Sequence, residues 1–248
     1  MNAIEVRDLR KLYGAKAAVD GLSFTVPQGS FFGFLGPNGA GKTTTIRMLM
    51  GLAPPTSGTI RLLDLPMPER ALEIKSQIGL VPDESLLFEH LTGAEFIEFA
   101  GRIYGLERPV ARERASELLE LFELGDARNK LINQYSKGMR KRTAMAAALI
   151  HRPKLFLMDE PFEGVDAMGA RLMKDILLEQ VRRGATIFLT SHVLEVVERL
   201  CDRAAIINEG KLVLEDSMEK LRGSAETLED AFVRAVGMER TVETLDWL

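Results

Sequence analysis

The chain is short of the residues that would point to most other chemistries. It has one cysteine, Cys201, so no disulfide can form within it. A lone cysteine of this kind reads as a small buried hydrophobe suited to a reducing compartment. The three histidines, His90, His151 and His192, lie far apart and make no His-rich metal motif. No run reaches the 18 apolar residues of a membrane span, and the opening residues lack the long apolar region of a signal peptide. Excess basic charge is also missing. There are 32 Lys and Arg against 36 Asp and Glu, a net charge of −4, which argues against nucleic acid as the main ligand. Any contact with a membrane is therefore expected to go through a partner.

What is present is ordinary globular material. A chain of 248 residues, 46% hydrophobic and 27% charged, can bury a core as one large domain or one domain with an inserted lobe. Residues 1–35 read as short strands pausing at Gly14, Gly21 and Gly29. Further strands are expected at 59–63, 78–81, 155–158, 185–190 and 203–207. Helices are expected at 44–50, 94–104, 110–122, 138–150, 168–182 and 193–200. Strands alternating with crossover helices predict an α/β fold with a mostly parallel sheet. Strand-like runs nearly vanish between 91 and 150, which predicts a helical insertion there. Near the end, Leu228, Phe232 and Val236 recur at spacing four, as on an amphipathic helix lying on the core.

One motif decides most of the function. Gly36, Pro37, Asn38, Gly39, Ala40, Gly41, Lys42, Thr43 and Thr44 fit G-x-x-x-x-G-K-[ST], between an apolar strand (31–35) and a helix. The glycines let backbone N–H groups turn toward phosphate oxygens. Lys42 neutralises the β/γ-phosphates, and the Thr43 hydroxyl is a Mg²⁺ ligand. A second motif, Lys154-Leu-Phe-Leu-Met-Asp-Glu160, is an apolar strand ending in two carboxylates at the ligand-binding edge of the sheet. Asp159 is placed to hold Mg²⁺, and Glu160 to polarise a water in line with the γ-phosphate. The strand ending at Thr190-Ser-His192 is expected to run parallel to that of Asp159, so His192 reaches the same edge. Asn129-Lys130 has no Asp at the fourth position, so the guanine-reading element of a GTPase is missing. Tyr13, beside a glycine turn, offers a flat ring to stack on a base.

With these motifs in order, the chain resembles the ATP-binding subunit of an ABC transporter over nearly its full length. The resemblance implies a P-loop NTPase core of residues 1–90 and 151–223, with N-terminal antiparallel strands. It implies a helical signature subdomain, 91–150, and a C-terminal helical tail, 224–248. It makes Tyr13-Gly14 similar to the adenine-stacking loop, 36–44 to Walker A, and Leu155–Asp159 with Glu160 to Walker B plus the catalytic glutamate. Gln134-Tyr-Ser-Lys-Gly-Met139 stands where the family signature belongs, Gly164-Val-Asp166 resembles the D-loop, and His192 the switch histidine.

A sandwich of two such subunits follows from the resemblance, with each ATP held by Walker A of one and by Ser136, Gly138 and Asp166 of the other. The implied cofactors are ATP and Mg²⁺. The implied partners are a transmembrane permease subunit and a second ATP-binding subunit, homo- or heterodimeric, with no nucleic acid. The implied place is peripheral, on the cytoplasmic face of the cell membrane. An energy-coupling ATPase of an exporter is the leading reading. A soluble non-transport ABC-type ATPase and a nucleotide-gated regulatory module remain as alternatives.

Three departures from the family pattern stand out. Lys137 adds a charge beside the signature serine, a variant closer to exporter than to importer subunits. Asp83 replaces the glutamine that usually touches Mg²⁺, and an aspartate can still reach the metal. Phe162 and Glu163 precede the D-loop, and Glu163 is expected to repel at the dimer seam. From Arg128 to Lys154 there are eight Lys or Arg and no Asp or Glu. That basic stretch is consistent with attraction to a polyphosphate and, at several positions, with a solvated face. Because Tyr13 can stack on either purine and no guanine-reading Asp is present, ATP should bind modestly tighter than GTP. Titration with both checks this, and GTP binding about tenfold tighter would refute it.

Overall fold

Four phenylalanines stack at the centre of the larger sheet's inner face. Phe188 lies 5.2 Å from Phe34, 5.8 Å from Phe24 and 5.9 Å from Phe32, centroid to centroid. The computed structural model describes residues 1–83, 87–222 and 227–237. Its elements begin β1 (Asn2–Tyr13), β2 (Lys16–Pro27), β3 (Phe31–Leu35), α1 (Lys42–Leu49), β4 (Ser57–Leu62), β5 (Leu65–Met67), α2 (Ala71–Lys75) and β6 (Ile78–Val81). Three helices follow without a named strand between them: α3 (Gly93–Ile103), α4 (Arg108–Leu121) and α5 (Lys137–Leu149). The chain then alternates through β7 (Leu155–Asp159), α6 (Ala167–Arg182), β8 (Thr186–Ser191), α7 (Leu194–Leu200) and β9 (Arg203–Asn208). It closes with β10 (Lys211–Ser217), α8 (Met218–Arg222) and α9 (Leu228–Val236).

The strands form two sheets. One is antiparallel, in the order β2-β1-β4-β5; the other runs β10-β9-β3-β8-β7-β6 and is parallel except for the β10–β9 pair. Each central strand of the second sheet is buried on both faces. Phe31, Phe156 and Ile187 join the core under the helices, whereas Phe32, Leu157 and Phe188 join the core against the antiparallel sheet. A strand dry on both sides needs a continuous apolar run, which is why these strands stand out in the sequence. Gly33 interrupts one run because α7 presses on β3. A Cβ there would sit 2.5 Å from Val197 Cγ1.

The N-terminal reading needs correction. Residues 2–27 make two twelve-residue strands rather than several short ones. Gly14 and Gly29 do separate strands, but Gly21 lies inside β2. Leu9 pairs with Leu22 and Arg10 with Asp20, so Gly21 is the extra residue of a bulge, at φ +73°. The short elements β5, α2, β10 and α8 carry too little periodicity to be foreseen. The expected 203–207 strand therefore gains an antiparallel partner, β10.

Three further contacts position the helices. Tyr104 stacks on His151 at 3.5 Å, and both reach the Ile78 carbonyl, tying α3 and the end of α5 to β6. Burial pushes His151 down to about 4, so it is neutral at pH 7. The tail helix carries Leu228, Phe232 and Val236 as expected and packs on the helix-side core. The rest of the tail, including Trp247, lies outside the described residues.

Phe188 is fully buried and touches three other rings, so Phe188→Ala should cost about 3–5 kcal/mol. Urea denaturation followed by circular dichroism measures this. A loss below about 1 kcal/mol would mean that the ring stack is not the centre of this core.

Candidate nucleotide site

The loop between β3 and α1 is shaped by what a side chain would strike. At Gly36 a Cβ would meet the Ile207 carbonyl oxygen at 2.5 Å, and at Gly41 the Ala18 carbonyl oxygen at the same distance. Gly39 and Gly41 also have φ of +82° and +108°. The chain thus turns tightly from a buried strand into α1, whose N-cap Gly41 supplies no side-chain cap. The first N–H groups of the helix are left for a ligand, and the helix dipole favours an anion there. Lys42, 7% exposed, donates to the carbonyls of Gly36 (2.7 Å) and Pro37 (3.3 Å). Its ammonium also lies 3.7 Å from Glu160 Oε1.

The carboxylates lie at the ends of two neighbouring strands, β7 and β6. Parallel pairing of β7 with β8 sets Asp159 opposite Thr190. The Thr190 hydroxyl donates to Asp159 Oδ1 at 2.5 Å and accepts from the Glu160 N–H at 3.2 Å. One hydroxyl therefore orients the Asp159 carboxylate and anchors the backbone of Glu160. Glu160 has φ +45°, a sparsely populated conformation for a residue with a side chain. Its carboxylate lies 3.0 Å from Nδ1 of His192, just past β8, in addition to its contact with Lys42. Asp83 follows β6 and faces Lys141 from α5. Lys141 is 1% exposed and donates to the carbonyls of Pro82 (3.1 Å) and Asp83 (2.6 Å), with the Asp83 carboxylate 3.9 Å away. Burial pulls the Lys141 ammonium below the usual lysine range, opposed by the charges of Asp83, Asp159 and Glu163.

These groups open onto a cleft of about 600 Å³. Tyr13, Pro37, Asn38, Gly39, Gly41, Lys42, Thr43, Thr44, Asp83, Glu160 and His192 all line it. Asp159 is buried directly behind Glu160, while Gly36 and Ala40 shape the loop from beneath. Ser136, Gly138 and Asp166 stand elsewhere. Ser136 caps α5 by accepting from the Met139 N–H, and Asp166 caps α6 by accepting from the Gly169 N–H at 2.9 Å. A Cβ on Gly138 would lie 3.3 Å from the Gly164 carbonyl. These three form their own cluster and do not line the cleft of their own chain.

Sequence reasoning missed several participants. Lys16 lines the cleft because hairpin pairing puts it opposite Tyr13, and Ala18 lines it beside Gly41. Thr190 and Lys141 matter through strand register and helix packing, for which no local motif exists.

The charges also differ from expectation. Glu163 is not a lone repulsive group, because Lys137 Nζ sits 2.8 Å from its Oε1. That contact holds Glu163 below the usual carboxylate range and raises Lys137. In the basic stretch Arg128, Lys137, Arg140, Lys141 and Arg142 each face a carboxylate of their own chain. The stretch is therefore largely neutralised internally.

The family model described as ABC transporter matches residues 19–163. An uncharacterized ABC transporter ATP-binding protein of Nostoc sp. is 42% identical over 91% of this chain and 70% of its own length. The chain belongs to the ABC transporter family. The Nod factor export ATP-binding protein I of Paraburkholderia xenovorans is 41% identical, covering 90% of this chain and 73% of the relative. A solved ATP binding subunit of an ABC transporter superposes with TM-score 0.87 at 29% identity, covering 94% of this chain and 99% of that one. Membership makes the chain an ATP-binding, ATP-hydrolysing component of a membrane transporter, on a P-loop NTPase core. Among the described residues no helix is long and apolar enough to cross a membrane.

Lys42 is the buried cation of this ABC cleft, so Lys42→Ala should lower ATP affinity by about 10²-fold while the protein stays folded. Equilibrium binding of a fluorescent ATP analogue checks this. Unchanged affinity in the folded variant would remove the cleft as the phosphate site.

Proposed function

We propose that this chain is the ATPase of an exporter, binding Mg-ATP in the cleft and working as one of two ATP-binding subunits beneath a transmembrane permease. The observation that carries the chemistry is the convergence on Glu160. His192 and Lys42 meet one carboxylate oxygen, and Thr190 fixes the backbone behind it. In this reading Tyr13, half exposed at the cleft mouth, stacks on adenine. The loop 36–44 cradles the phosphates, and Lys42 exchanges its carbonyl partners for phosphate oxygens. Glu160 accepts the proton of the attacking water. His192, with Nδ1 protonated, donates to Glu160 and keeps it in line.

Hydroxyl and carboxylate oxygens are the donors a hard cation needs, and Mg²⁺ usually takes one or two protein carboxylates plus substrate phosphates. Thr43 at the cleft and Asp159, held in one orientation by Thr190, fit that set. Asp83, just past the neighbouring strand β6, fits it as well, its charge partly balanced by Lys141. When bound, the metal neutralises charge on the phosphate oxygens.

The placement of Ser136, Gly138 and Asp166 away from their own cleft supports a role on a nucleotide carried by the other subunit. The permease is expected on the helical segment, where Phe88 packs edge-on against Phe99 and both are exposed, with Ile103 66% exposed nearby on α3. Such docking places the chain peripherally, at the cytoplasmic face of the membrane. The signature variant with Lys137, and the likeness to a subunit named for Nod factor export, support export over import.

Glu160→Gln keeps the shape and loses the base, so hydrolysis should slow by about 10²-fold or more while ATP still binds. His192→Ala should also cut turnover and spare affinity. Phosphate release at saturating Mg-ATP measures both, and a wild-type rate in the Glu160→Gln protein would overturn the assignment.

A further inference from the structure

Lys137 and Glu163 are both departures from the family pattern, and they meet. Lys137 opens α5 beside Ser136, in a cluster that does not line the cleft of its own chain. Glu163 follows β7 and lines that cleft. Their contact is short, 2.8 Å, yet exposed, with side chains 61% and 45% accessible. An exposed pair of this kind is weak and exchanges readily.

The lysine's direction is nevertheless set. Its stem lies in the notch left by Gly164, where a Cβ would be 2.5 Å from Lys137 Cδ. Only the ammonium end has to move. Lys141, one turn further along α5, cannot substitute, because its ammonium is buried and held by two carbonyls.

We propose that Glu163 is a stand-in anion: it holds Lys137 until the terminal phosphate of a nucleotide carried by a second subunit takes the lysine from it. A terminal phosphate carries more charge than a carboxylate and presents several acceptor oxygens, so it wins the ammonium when the seam closes. Glu163 thereby lowers the affinity of the closed state for ATP without repelling the nucleotide itself. Its effect runs entirely through Lys137. The proposal rests on the reading that two chains close around nucleotide.

The test uses the full chain in a Glu160→Gln background, with sedimentation velocity across a series of Mg-ATP concentrations. Binding of a fluorescent ATP analogue to each monomeric variant normalises for occupancy of the cleft. Glu163→Gln should lower the ATP needed for half-maximal dimer by about threefold. Lys137→Met should raise it by about tenfold. The double variant should match Lys137→Met within about twofold, because the glutamate has nothing left to hold. If Glu163→Gln gives the same threefold gain in the Lys137→Met background, the glutamate acts by direct repulsion and the proposal falls. It falls equally if Glu163→Gln raises the ATP requirement. If the Glu160→Gln parent forms no dimer at any Mg-ATP concentration, the paired-subunit reading fails and takes this inference with it, whereas analogue binding to the monomer still reports on the cleft alone.

Discussion

Parallel pairing of β3, β8 and β7 is the constraint on which the site depends. Gly36 follows β3, Asp159 ends β7 and His192 follows β8. These positions are far apart in the chain, and three in-register strands bring them to one sheet edge. The register is strict because every strand is buried on both faces. A slip of one residue would turn Phe188 out of the phenylalanine stack and carry Thr190 away from Asp159 at the same time. Core packing and the geometry of the candidate site are thus enforced by one set of hydrogen bonds.

The second organising feature is the management of charge around α5. This helix carries Lys137, Arg140, Lys141 and Arg142 within its first two turns, and each meets an acid from a different part of the chain. Lys141 is the extreme case, a buried ammonium that survives because two carbonyls and a carboxylate surround it. The helical segment is fastened to the sheet by the apolar core that α5 shares with Phe31, Phe156 and Ile187, by polar contacts at the nucleotide end and by the Tyr104–His151 stack on Ile78.

The loop 36–44, the strand ending in Asp159 and Glu160, and the helical character of 93–149 were legible because local chemistry dictates them. Glycines at forced turns, an apolar run ending in acids and a 3.6-residue period all survive in one dimension. Thr190, Lys16 and Lys141 were not legible as site residues, since a threonine in a strand or a lysine on a helix has no local mark of its partner. Gly21 misled the strand reading because a bulge glycine and a turn glycine look alike until the pairing is known.

From the sequence alone came the family, the fold class, the phosphate loop and the acid pair, because each rests on residue type and spacing within one segment. Only the tertiary structure decided which charges are free. Glu163 reads as an isolated acid until Lys137, 26 residues earlier, lies beside it. The basic stretch reads as an anion trap until five of its eight cations are found facing carboxylates of their own chain. Electrostatic energy depends on distance in space and on exposure to solvent, and neither is set by position along the chain.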